Sequence, residues 1–461
     1  MIELKEEQVE ALLEKTIESL KDDDDFQLVS ITKKIKNYDA LSFFEAAKYI
    51  GKNRMFWMSS EEDFYLVGIG QAYEIMAEES RFKETKERWY RLLEKATIHN
   101  PYEQPGTGIV ALGGLSFDPQ KPTTPLWEKF KPSHFTIPEF LITKQNKQCY
   151  VTMNVLVRKN DHPHQLANEW KDLEERLFEK TTIEKQTLTI KEKIEIEPTE
   201  WKDTVRKATE EINDSDIEKI VLAREMFLRF NENANIGSIL QKLLDAHPNS
   251  YVFAIEKDNH CFLGATPERL VKIEKDHLLS TCLAGTAPRG KTKEEDQAIS
   301  EGLLHDQKNR EEHDFVVKMI KNAMEDYCTH LDVPNEPIVY PLTNLQHLYT
   351  PVTATLKKGY SIFDIMEKLH PTPALGGTPK ESSLRFIRNH ERLDRGWYGA
   401  PIGWIDSNQN GEFAVAIRSA LIKGTEASLF AGCGVVKDSN PDEEYEETNI
   451  KFLPMLSVLG G

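Results

Sequence analysis

The chain has 461 residues, with 58 Lys and Arg against 76 Asp and Glu, so its formal charge is 58 − 76 = −18. A surface this acidic excludes polyanion binding, which needs a basic stripe to displace counterions, and docking on anionic lipid. With 39% hydrophobic and 29% charged residues the chain is a folded one, and its length alone predicts two to four domains, or one large α+β unit.

No stretch approaches the ~20 apolar residues that span a bilayer. The acidic, amphipathic start MIELKEEQVEALLEKTIESL lacks the basic and apolar regions of a signal peptide. Cys149, Cys261, Cys282, Cys328 and Cys433 are scattered and odd in number, with no CxxC. Such a set predicts free thiols in a reducing cytoplasm.

Apolar spacing predicts a helix over 4–20, ended by Lys21 and the run Asp22 to Asp25, which reads as a solvated loop rather than a metal site. Residues 26–35 read as a strand, 39–50 as a short helix and 64–75 as strands. A helix is predicted over 82–98, strands over 110–117 and 149–157, and a helix near 164–180. The polar stretch 158–200 is the best candidate boundary.

Beyond it, 220–230, 250–257 and 269–274 read as strands, with one helix near 237–246. Long helices follow at 292–328 and 361–369. GWYGAPIGWID and FAVAIRSALI read as a hairpin-like pair, and a last helix covers 441–457. Local strand connections with grouped helices point to α+β rather than a doubly wound sheet.

Several residues could carry chemistry. In PDEEYEETNIKF, Glu444, Glu447 and Lys451 share one helix face. That face is either solvated or a carboxylate pair for a hard cation beside a lysine for an anion. Glu312 sits on an amphipathic helix, where an acidic residue usually faces solvent. Gly285 and Thr286, the turn-rich HPTPALGGTPK, and Gly432 and Gly434 around Cys433 are either turn chemistry or exposed backbone N–H groups for a carboxylate. None of these matches a P-loop or GxGxxG. Lys219 opens the strand KIVLAR, and Glu268 follows a proline in GATPERL. Each is a surface charge or a functional group.

Taken together, KIVLAR, FLGATPERL, LAGTAPRG, KNREEH, NLQHLYTPVTATL, LHPTPALGGTPK, RGWYGAPIGW, FAVAIRSAL, AGCGVV and EYEETNIK occur in this order. The series resembles the chorismate-utilising enzymes: isochorismate synthases, salicylate synthases, and the large chains of anthranilate and aminodeoxychorismate synthases. The resemblance is dense over about residues 200–458. NRMFWMSSEEDFYLVGIGQA is similar to the menaquinone-type isochorismate synthases. The implied fold is α+β, a single large domain (1–461) of two antiparallel β-sheets flanked by helices, as in anthranilate synthase component I. Within it, 1–195 is an N-terminal subregion and 196–461 the chorismate-binding region.

By motif, Lys219 matches the lysine that activates water and Glu268 the general acid. Glu312 and Glu447 match direct Mg²⁺ carboxylates, and Glu444 a carboxylate supporting the hydrated metal. Relatives often place an acidic residue three positions before the first ligand; here that residue is Asn309. His347, Ala374, Leu375, Tyr398, Arg418, Gly432, Gly434 and Lys451 match positions lining the chorismate pocket. Gly285 and Thr286 match the turn at the metal-bound carboxylate end.

The implied reaction needs these residue types. Mg²⁺ would hold the ring carboxylate of the chorismate dianion, and Arg418 with backbone amides the enolpyruvyl carboxylate. Lys219 must spend time neutral, although a free lysine titrates near ~10.4. Water then attacks C2, and Glu268 protonates the departing C4 hydroxyl. Lys219 favours water addition, hence isochorismate, with no glutamine amidotransferase subunit; the long N-terminal region favours menaquinone as the pathway. Salicylate synthase and a siderophore-pathway isochorismate synthase are the alternatives; Ala374–Leu375 resembles isochorismate synthases.

Overall fold

The computed structural model describes residues 6–22, 24–60, 63–341 and 345–461. Its strands form two sheets, of 13 and 10 strands. Pairing is antiparallel except where Gln27–Ile35 runs parallel to Thr97–His99. Both sheets draw on both halves of the chain. Tyr251–Lys257 pairs with Arg54–Met58, and Pro401–Asp406 pairs with Val110–Leu115.

The sheets pack face to face on an aromatic layer. Trp57, Phe253, Phe262 and Phe430 from the larger sheet meet Trp404 and Ile402 from the smaller, with Trp127 and Trp397 between them. Burying each such ring contributes roughly 1.5–3 kcal/mol. Helices cover the outer faces. Glu6–Ser19, Ile236–Ala246 and Pro441–Val458 lie on the larger sheet, and Arg81–Lys95 and Ile362–Leu369 on the smaller.

Most expected elements are present, with shifted ends. Three differences have physical reasons. The helix expected over 292–328 is two, Lys293–His305 and Gln307–Glu325. Asp306 leaves the helical region at φ −70°, ψ 112°, and its carboxylate caps the second helix through the Asn309 N–H. FAVAIRSALI is two strands, Gly411–Val415 in the smaller sheet and Ser419–Lys423 in the larger. The helix Pro198–Asp214, unforeseen, buries Trp201, Val205, Ala208 and Ile212; their spacing of three and four is the amphipathic signature. Residues 4 and 5 of the first expected helix lie outside the described residues, as does Asp23 of the aspartate run. Asp22 and Asp24 of that run pair with Lys159 and Lys95.

Two crossings between the sheets set up the site. The chain leaves the larger sheet after Thr266 and enters the smaller at Arg269, with Glu268 in between. It returns between Val415 and Ser419, through Arg418. The crossings are tied to each other. The Val415 N–H donates to the Glu268 carbonyl at 2.9 Å, and the Ala265 N–H to the Arg418 carbonyl at 3.1 Å. Arg418 takes a φ of +50°, a left-handed conformation that costs a non-glycine residue about 1–2 kcal/mol.

Candidate active site

Lys219 opens the strand Lys219–Phe230, which is held on one side by Glu426–Val435 and on the other by the short strand Gly377–Thr378. Val221 stands opposite Gly434 and Ala223 opposite Gly432. The lysine side chain lies over Gly434: a Cβ there would fall 2.5 Å from its Cε and 3.3 Å from its Nζ. A Cβ on Gly432 would fall 3.3 Å from the Tyr398 hydroxyl. The two glycines are therefore the floor under Lys219 and Tyr398.

Glu268 is part-buried at the crossing. Burial pushes its carboxyl up to about 7, against the opposing pull of Arg418 and Lys451. An acid and its ionised form are thus both present near neutrality. Arg418 donates from Nη1 to the Lys451 carbonyl at 3.1 Å. The Lys451 Nζ donates to the Gly432 carbonyl at 3.0 Å and to Glu447. Glu447, Arg418, Lys451 and Glu268 so form one electrostatic unit. Burial, with Arg418 and then Lys451, also lowers His347 to about 4, so its imidazole is neutral at pH 7. Its Nδ1 lies 2.9 Å from the Thr286 hydroxyl.

Gly285 and Thr286 sit at a bulge where His277–Pro288 pairs with Leu345–Leu356. Gly285 has a φ of +76° and lies 3.2 Å, at its Cβ position, from Asn309. The Thr286 N–H donates to Asn309 Oδ1 at 3.2 Å. Asn309 thus ties the turn to the helix that carries Glu312. An aspartate here would bring a negative charge; the Asn309 amide is a neutral acceptor. The backbone of Glu312 lies in Gln307–Glu325, while its side chain is outside the described ones.

The C-terminal helix presents Glu444 and Glu447 as expected. Ser439 donates to Glu444 Oε1 at 2.6 Å. Glu444 Oε2 is buried with no hydrogen-bond donor by geometry among the described residues. The thiol of Cys433 faces this carboxyl; burial and then Glu444 push the thiol well up. A carboxylate with one buried oxygen that meets no N–H or O–H donor among the described residues, one turn from a second carboxylate, fits a hard cation. Among the described residues no group of three or more His, Cys, Asp or Glu side chains is assembled for a metal.

Ala374 and Leu375 lie in the turn after residue 370, which is fastened from below by a pair that sequence reasoning missed. Arg395 donates to Glu391 through two bonds of 2.7 Å, with both side chains almost fully buried. It also donates to the Leu375 carbonyl at 2.9 Å and the Val221 carbonyl at 2.7 Å. Glu391 accepts from the Ala223 N–H at 2.7 Å. The pair clamps the Lys219 strand to the Leu375 turn. In sequence it is one i,i+4 Glu–Arg spacing among many, and most such pairs are exposed. Arg395→Met strands a buried carboxylate and should cost about 3–5 kcal/mol in urea unfolding; a loss under about 1 kcal/mol would contradict the clamp.

A family profile described as chorismate binding enzyme covers residues 13–460. The chain belongs to the chorismate-binding enzymes. Among relatives of this family, isochorismate synthase MenF of Bacillus subtilis is 41% identical over 444 residues, 94% of each chain. The salicylate biosynthesis isochorismate synthase of Pseudomonas aeruginosa is 33% identical over 441 residues, 94% of this chain and 91% of its own. The structure of the menaquinone-specific isochorismate synthase MenF from Escherichia coli superposes with a TM-score of 0.81 at 24% identity, covering 98% of this chain and 99% of that one. The expected α+β sandwich is thus the fold observed. No helix among the described residues is long and apolar enough to cross a membrane.

Proposed function

We propose that this protein is an isochorismate synthase that adds water to C2 of chorismate and expels the C4 hydroxyl, supplying isochorismate for menaquinone. The observation that carries the reading is Glu268: a carboxyl raised to about 7 at a sheet crossing, facing the cations Arg418 and Lys451, suits a general acid for a departing hydroxyl. The names of the relatives at 41% and 33% identity support the same reaction class.

Lys219, laid over Gly434 at the mouth of its strand, is the base that takes the proton from water. Arg418 pairs with the enolpyruvyl carboxylate through its fork of N–H donors. Neutral His347, with Thr286, offers hydrogen bonds without adding a second proton source. Tyr398, kept protonated by burial, closes the pocket over Gly432. Glu444 and Glu447, with Glu312, are the carboxylates proposed to hold Mg²⁺. When bound, Mg²⁺ supplies positive charge for the ring carboxylate. We place the enzyme in the cytoplasm, acting without a glutamine amidotransferase subunit.

The test is to incubate the pure protein with chorismate and Mg²⁺ and to identify the product by chromatography and mass. The expected result is isochorismate, formed equally well without glutamine or ammonia and lost on chelation with EDTA. Salicylate with pyruvate would move the protein to the salicylate synthases. Dependence on ammonia would overturn water addition.

A further inference from the structure

A cavity of about 620 Å³ opens on the larger sheet, and neither Lys219 nor Glu268 lines it. This volume is in the range of small-ligand pockets. Its floor crosses four neighbouring strands, with Glu225, Ser428, Leu421 and His260 on successive ones. At about 4.8 Å per strand, the floor is roughly 14 Å long. Trp201 and Phe227 add aromatic wall.

Most charges around it are already satisfied. Glu197 pairs with Arg392 at 2.7 Å and Glu391 with Arg395 at 2.7 Å. Asp394 accepts from the Thr124 N–H and hydroxyl. Glu225 differs. Ser428 donates to its Oε1 at 2.5 Å, and among the described residues no Lys, Arg or His side chain reaches it. Burial raises its carboxyl. At the far end His260 is 3% exposed, and its Nδ1 is buried without a hydrogen-bond partner. Burial, and then Lys423, lower this imidazole. A carboxylate lacking a counter-ion asks for an N–H group, the unpartnered imidazole nitrogen asks for a polar partner, and an aromatic wall favours a cation further.

We propose that this cavity is a binding site for a small organic amine, its ammonium on Glu225 and its apolar body along Leu421 and Phe227 toward His260. The lining holds six carboxyl side chains against the three cations Arg224, Arg392 and Lys423, a balance that disfavours an anion.

The test uses three probes with one phenyl body: 2-phenylethylamine, 2-phenylethanol and 3-phenylpropionate, titrated into the full chain by calorimetry. The amine should bind one per chain and the alcohol about tenfold or more weaker, the cost of one charge-assisted bond. The carboxylate should give no heat. Saturating chorismate should leave amine binding unchanged. Glu225→Gln should weaken the amine about tenfold or more while turnover of chorismate stays at the wild-type level. Three probes of equal affinity, no amine binding at millimolar concentration, displacement by chorismate, or an unaltered amine affinity in Glu225→Gln would each overturn the proposal. The probe series on the unmutated chain decides the matter even if that variant misfolds.

Discussion

Glu268→Gln should lower turnover of chorismate by about 10²–10⁴-fold, the usual contribution of a positioned acid, with the fold retained. Gln keeps the size and polarity of the side chain and removes only the transferable proton. The pH behaviour gives a second readout. A carboxyl raised from 4.5 to about 7 contributes stability that is full below 4.5 and is lost as pH rises through 7. Gln cannot ionise, so Glu268→Gln should melt above the wild type at pH 8 and level with it near pH 4.5. In the wild type, turnover limited by the acid should fall as pH rises past about 7. Wild-type rates in Glu268→Gln would remove it from the mechanism.

The second large effect is expected from a single methyl group. Gly434→Ala places a Cβ 2.5 Å from the Lys219 Cε, closer than packed carbons approach. Gly434 is not among the residues with positive φ, so alanine fits the backbone and the strand should survive. The lysine must then move, and a misplacement of about 1 Å at a reacting group costs on the order of 10²-fold. Lys219→Ala should lose at least as much. The double variant should be no worse than Lys219→Ala alone, because both changes act on one group. Additive losses would mean that Gly434 serves something other than the lysine.

The placement of the candidate residues was legible because they sit on short motifs. Lys219 and Glu268 were expected at strand ends, and they lie where strands begin or cross between sheets. Glu444, Glu447 and Lys451 were expected on one helix face, and the Lys451–Glu447 contact follows from that i,i+4 spacing. Part of what escaped depends on contacts distant in sequence. Arg395 serves the site by reaching carbonyls 20 and 174 positions away. The strand order that joins 54–58 to 251–257 leaves no local pattern. The break at Asp306 was local and readable, since an aspartate three residues before an asparagine N–H is cap chemistry. Helical periodicity on both sides hid it. Arg418 was read as part of one strand because φ is not written in the alternation of apolar residues. Its left-handed backbone is what turns the chain between sheets.

The most direct measurement of the central claim is the origin of the new hydroxyl. With chorismate and Mg²⁺ in H₂¹⁸O, attack of solvent water at C2 with loss of the C4 hydroxyl should give isochorismate carrying one ¹⁸O, at C2. Isochorismate without ¹⁸O would mean that the C4 hydroxyl itself had migrated, and would contradict the assignment of Lys219 and Glu268 as base and acid.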